Sequence, residues 1–243
     1  MAYIYVILGG PPSELAAFAS YLLRHGMEDA TQVPVILETP VEAAFRAVWE
    51  QTQTEAPLTA TEDLARAMPA LSPALESAFF VPTPERDPRP FLETLRSWME
   101  EQGHTLARIY TVADCAALAA SQSGPYFDLC LHFTDVYFLG HREEVSKKWI
   151  QQYRDQLRKR ALPAQVELLR KGGKVDDVHA LLFPEARRLT QFFDPPDESI
   201  LPGLEIEGMA ENEGDDTDPR DPQNDPYLER NEEGAYRHPL RAR

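Results

Sequence analysis

Residues 3–23, YIYVILGGPPSELAAFASYLL, constrain the fold more than any other stretch of this chain. An apolar run rich in β-formers, Tyr3 to Leu8, meets Gly9-Gly10, and a helical pattern then begins with Pro11, Pro12 and Ser13 suited to its first turn. A strand that turns through glycines into a helix is the outline of a phosphate-binding loop. In an active loop the glycines let backbone N–H groups wrap the phosphates, a Lys reaches the β- and γ-oxygens, and a Ser or Thr holds Mg²⁺. Here the Lys is absent. With Ser13 in the place of the Mg²⁺ hydroxyl, Pro12 stands where the Lys should be, Pro11 where the last Gly should be, and Val6 where the first should be. The two prolines also delete two of the N–H donors from which the cradle is made. Two readings stay open: a structural relic, or a loop whose Gly9, Gly10 and Ser13 still hold an anion.

The rest of the chain repeats the alternation of strand and helix. Residues 32–39 (QVPVILET) read as a β-branched strand with Glu38 at its end, and 41–55 as a helix with apolar residues at helical spacing. Residues 56–76, rich in Pro, Ala and Thr, hold one short helix over 61–68. A strand, SAFFV (77–81), runs into the loop PTPERDPRP, and an amphipathic helix over 91–102 ends at Gly103. The strand 106–112 closes on Ala113-Asp114. That places Asp114 at the carboxyl end of a strand, where open α/β sheets keep their ligand crevice, although an Asp there also serves as a helix N-cap. A strand is expected at 135–139 within the apolar run 127–139. It is followed by the loop GHRE, a long basic helix over 145–160, a last strand at 164–169 and a short helix VHALLF capped by Asp176-Asp177. This order predicts an α/β, three-layer domain with a mostly parallel sheet over residues 1–194.

From residue 195 the composition changes. Fourteen Asp/Glu face five Lys/Arg, so more than half of the net charge of −16 lies in the last fifth of the chain. With few aliphatics and many Pro, Gly and acidic residues, 195–243 cannot bury enough apolar surface to offset its ordering entropy. It reads as a disordered acidic tail with one candidate contact motif at Asp225-Pro226-Tyr227-Leu228. The same acidity argues against general nucleic-acid binding. No apolar run approaches the ~18 residues of a membrane span, and MAYIYV shows neither a positive lead nor a cleavage site, so a cytoplasmic protein is expected. Cys115 and Cys130 are too far apart for a redox pair and read as small core residues. The six histidines show no HxxxH or HxH spacing.

Three stretches, taken in order, carry a resemblance. Asp87-Pro88-Arg89-Pro90 followed by FLETL, then YTVAD at 110–114, then GGKVDDVHALL at 172–182 resemble, in sequence and spacing, the GTPase domain of the CobW-like family of P-loop proteins associated with metal trafficking. The resemblance spans residues 3–194 and implies a P-loop NTPase fold with GTP and Mg²⁺ as ligands. Against the family pattern the chemical positions are missing. The P-loop Lys falls on Pro12, the E-x-x-G of the second phosphate motif on Val81 and Pro84, and the guanine-reading NKxD on Gly140-His141-Arg142-Glu143. The CxCC metal motif and the separate C-terminal domain have no counterpart. Of the base-reading residues Glu143 alone keeps a carboxylate.

Three functions follow as alternatives. The first is a catalytically inactive CobW-like domain that binds or regulates an unidentified protein partner, without a cofactor. Phosphoryl transfer rests on positioning and electrostatics, and the groups that supply both are gone. The second is an enzyme whose GTP and Mg²⁺, or another hard cation, are held by Glu38, Glu85, Asp87 and Asp114 converging at the carboxyl edge of the sheet. The third is a binder of acidic partners or nucleic acid through the basic stretch 142–174, with Arg142, Lys147, Lys148, Arg154, Arg158, Lys159 and Arg160 as contacts. A charge run of that kind is also what a solvated helix face looks like.

Overall fold

A computed structural model describes residues 1–68, 71, 75–84, 86–120, 124–194, 218 and 220–239. In its first unit, ending at Leu189, β-branched and aromatic runs form seven strands: β1 (Tyr3–Gly9), β2 (Val35–Glu38), β3 (Leu58–Thr61), β4 (Ser77–Val81), β5 (Thr105–Asp114), β6 (Val136–Gly140) and β7 (Gln165–Leu168). They make one sheet in the order β3-β2-β4-β1-β5-β6-β7, and every pairing among them is parallel. The central strands are buried along almost their whole length because both faces are covered. Among the described residues the α-helices are α1 (Pro12–Gly26), α2 (Thr39–Gln51), α3 (Leu64–Ala67), α4 (Arg89–Gln102), α5 (Cys115–Ala119), α6 (Gly124–Phe133), α7 (Lys147–Lys159) and α8 (Val178–Leu182).

Side-chain alternation along the strands sorts the helices into two outer layers. Tyr5, Ile7, Phe79, Tyr110 and Phe138 pack with Phe18 and Leu22 of α1, Phe45 and Trp49 of α2, and Leu182 of α8. On the opposite face Phe80 meets Phe91 and Trp98 of α4, and Tyr137 hydrogen-bonds Tyr153 of α7. The domain is therefore the three-layer α/β fold with a parallel sheet expected from the alternation of elements.

Three elements differ from the sequence expectation. Strand β3 lies in the stretch 56–76, where only a helix was anticipated. It is a short edge strand, half-exposed and without a strong apolar pattern. Helix α5 was given no range of its own, although Asp114 before it was offered as a helix N-cap. Helix α6 occupies most of the apolar run 127–139, because a helix buried almost all round has no polar face to mark its period. Cys115 and Cys130 are buried and free as expected, and burial pushes both thiols up to about 12.

At the amino-terminal edge of the sheet, Asp135 anchors the last segment of this unit. Its carboxylate accepts from the Ile109 and Arg187 amides at 2.7 and 2.6 Å and faces the buried Arg188 guanidinium at 3.3 Å. Beside it, Arg108 donates to the carbonyls of Phe183 and Glu185.

The second unit comprises Thr190–Pro239. Residues 195–217, where disorder was expected, lie outside the described residues. Within 220–239 the expected lack of structure is narrowed: the chain runs in hydrogen-bonded turns and Leu228 is fully buried. The candidate motif at Asp225 is a local fold element. Asp225 Oδ1 accepts from the Tyr227 amide and Oδ2 from the Thr190 hydroxyl. Among the described residues no helix is long and apolar enough to cross a membrane.

Candidate functional site

The strand order reverses direction about β1, which lies between β4 and β5, and the crevice outside their carboxyl ends is the place where a parallel α/β sheet receives ligands. A cavity of about 400 Å³ opens there, its described lining supplied by Gly10, Pro11 and Pro12 after β1, Thr83 and Pro84 after β4, and Asp114 and Ala117 after β5. Val41 of α2 and Tyr126 and Phe127 of α6 close it.

The glycines of the loop do what the sequence asked of them. Gly9 and Gly10 both take positive φ, 88° and 35°, and a Cβ on Gly9 would run into the Val112 carbonyl oxygen of the neighbouring strand. The loop does not present its amides as a phosphate cradle, however. The Gly9 N–H donates to Tyr126 Oη at 3.2 Å, Pro11 and Pro12 have no N–H, and Pro12 opens α1 with Ser13 exposed behind it.

The charge at this edge is inverted relative to a phosphate site. Glu14, in the first turn of α1, lays its carboxylate against Gly140, where a Cβ would collide with Oε2. Glu14 Oε1 accepts from the His141 amide at 3.0 Å, while the buried Oε2 has no hydrogen-bond partner. Burial raises the Glu14 carboxyl above its ordinary value; the neighbouring charges of Glu143 and Asp114 push the same way, against the His141 amide and ring. Asp114 Oδ1 caps α5 by accepting from the Ala116 and Ala117 amides at 2.9 and 3.2 Å, and Oδ2 lies 3.5 Å from His141 Nδ1. Asp114 is thus both the strand-end carboxylate and the helix cap that the sequence left as alternatives. Glu143 is exposed on the short 3₁₀ turn Arg142–Glu144, entered through His141 at a φ of 46°.

The carboxylates expected to converge on a hard cation do not do so among the described residues, where no trio of His, Cys, Asp or Glu could hold a metal ion. The described ones are engaged elsewhere. Glu38 accepts from the Thr83 amide at 2.8 Å and pairs with Arg86 at 3.1 Å, and Asp87 forks onto the buried Arg89 at 2.5 and 2.9 Å. Glu85 lies outside the described residues. On the basic stretch, Lys147 and Lys148 are exposed and Arg154 is half-buried. Arg158 pairs with Asp155, Arg160 with Asp128, and Arg142 donates to the Leu169 carbonyl. Lys159 is exposed near Trp149 and Tyr153, which stack with ring centroids 5.2 Å apart.

The residues at the loop do not fit a nucleoside triphosphate with its Mg²⁺. No Lys or Arg lines the crevice among the described residues, two of the loop amides are deleted and a third is taken, and the adjacent side chains are anionic. The participants that sequence reasoning missed are Glu14, Thr83, Tyr126, Phe127 and His141. Only Glu14, an acid in the first turn of the loop helix, left a readable signal.

No family model matches this chain, and no curated protein matches it. Among solved structures, the crystal structure of Zn(II)-bound YjiA GTPase from E. coli is similar at a TM-score of 0.44 and 12% sequence identity. The likeness covers 75% of this chain and 61% of that one, so this chain spans less than two thirds of its length.

Proposed function

We propose that this chain is a catalytically inactive P-loop domain of CobW-like type that acts as a binding or regulatory protein rather than as a GTPase. One observation carries the reading: where a phosphate-binding loop needs cations and open amides, this loop has Pro11 and Pro12, a Gly9 amide bonded to Tyr126, and the carboxylates of Glu14 and Asp114 close by. Anions are repelled from such a site, and hydrolysis loses the groups that would stabilise its transition state. The scaffold persists because packing, not loop chemistry, holds the strands and helices together. The family resemblance of residues 3–194 would place the role in metal homeostasis or a related cytoplasmic context, with a protein as partner.

The test is isothermal titration of the full chain with GTP, GDP and ATP, each with Mg²⁺, alongside thermal unfolding with millimolar nucleotide. The expected result is no saturable heat and an unchanged Tm. Binding at micromolar concentration, or a rise in Tm of several degrees, would overturn the reading, since a ligand that binds only the native state must stabilise it.

A further inference from the structure

We propose that the crevice at the carboxyl ends of β1, β4 and β5 binds a small organic cation, an amine carried on a flat apolar body. The inference rests on the reading that the loop no longer holds nucleotide and asks what the remaining space selects.

A cavity of about 400 Å³ falls within the range of small-molecule sites, and its walls are largely apolar: Pro11, Pro12, Val41, Pro84, Ala117 and the Tyr126–Phe127 pair. The two rings stand edge to face with centroids 5.3 Å apart. A flat hydrocarbon body suits these walls, and an ammonium within about 6 Å of an aromatic face gains cation–π attraction. Two polar groups break the apolar lining. Thr83 Oγ1 is buried without a hydrogen-bond partner at the wall. Asp114 keeps Oδ1 on the α5 cap, while Oδ2 has His141 Nδ1 only at 3.5 Å, too long for a strong bond.

Charge chooses among ligand classes. Asp114 is the one carboxylate in the described lining, so the charge at the crevice is negative. An anion is disfavoured, and a neutral apolar guest would strip water from Asp114 without replacing it. A bare metal ion lacks a ligand set among the described residues. An ammonium group answers the charge of Asp114 while its body lies against the apolar walls.

The test titrates the full chain at pH 7 with three probes of one shape: 2-phenylethylamine (cationic), 2-phenylethanol (neutral) and phenylacetate (anionic), followed by calorimetry and amide shifts. The expected order is amine, then alcohol, then acid, with the amine about tenfold tighter than the alcohol and shifts at Gly10, Ala117 and Phe127. Asp114→Asn keeps the cap oxygen and removes the charge. It is expected to bring the amine down to the affinity of the alcohol while leaving the alcohol unchanged. Should that variant fail to fold, Ala117→Leu, which narrows the cavity, is expected to weaken amine and alcohol alike. The proposal is overturned if the acid or alcohol matches the amine, if the shifts lie elsewhere, or if none of the probes binds at about 10 mM. GTP with Mg²⁺ is run beside them: its binding overturns the inactive-loop reading and this inference together, whereas failure of the amine alone overturns only the inference.

Discussion

Glu14 is the residue on which the character of the site turns. An acid in the first turn of a helix is favoured by the helix dipole, yet here it is also carried inward against Gly140, close to Asp114 and Glu143. Its carboxyl is therefore raised, so folding is more favourable with Glu14 protonated than with it ionised. The stability Glu14 contributes is fully present below the ordinary carboxylate range and is lost as pH rises through its folded value. Glu14→Gln keeps an oxygen for the His141 amide and removes the charge. The variant is expected to match the parent near pH 4 and to exceed it in Tm near pH 8, a gap read from thermal melts across pH. A gap that shrinks or reverses as pH rises would show that the carboxylate is not the destabilised group.

At the scale of elements, the loop and its helix are fixed by the chain's own groups. Pro11 caps α1 and Pro12 opens it, both with φ preset by their rings, and the Gly9 amide is already bonded to Tyr126. Changing Pro11→Gly and Pro12→Lys together returns two amides, a cation and a flexible turn to the loop. No GTP hydrolysis above background is expected from that double variant, measured as phosphate release. Val81 and Pro84 still leave the γ-phosphate unread, and Glu14 still fills the space beside Gly140. Measurable turnover would mean that the lost residues were dispensable. The basic face of α7 has a plainer account. Arg158 and Arg160 are held by Asp155 and Asp128, so much of the charge run is a solvated, locally compensated surface.

Across the whole domain, the two edges of the sheet have different jobs. The carboxyl edge carries the crevice, whereas the amino edge is closed by the Asp135 anchor, fully buried and bonded to two amides and Arg188. In Asp135→Asn one amide nitrogen must face a backbone or guanidinium donor, and the carboxylate opposite Arg188 is gone. Breaking a buried pair of this kind costs about 3–5 kcal/mol. The expected outcome is a lowered denaturant midpoint with an unchanged m-value; a loss below about 1 kcal/mol would assign the anchoring to packing instead.

Much of this was legible in the chain. The apolar run into Gly9-Gly10 and the prolines dictated a strand–loop–helix, because only glycine takes the positive φ beside Val112 and proline suits a first helical turn. Repeated alternation of strand and helix dictated a mostly parallel sheet covered on both faces. The absence of the phosphate Lys was equally plain. What the chain alone did not disclose depends on residues far apart in sequence. The helix α6 carries no polar face from which its period could be read, and it brings Tyr126 onto the Gly9 amide across 117 positions. Glu14 reaches the His141 amide across 127. Glu38, Asp87 and Asp114 each find a partner other than one another: the Thr83 amide, Arg89 and the α5 amides. Local propensity and periodicity determined the elements and their order. The pairing of the strands alone decided which side chains share the crevice, and with them its charge.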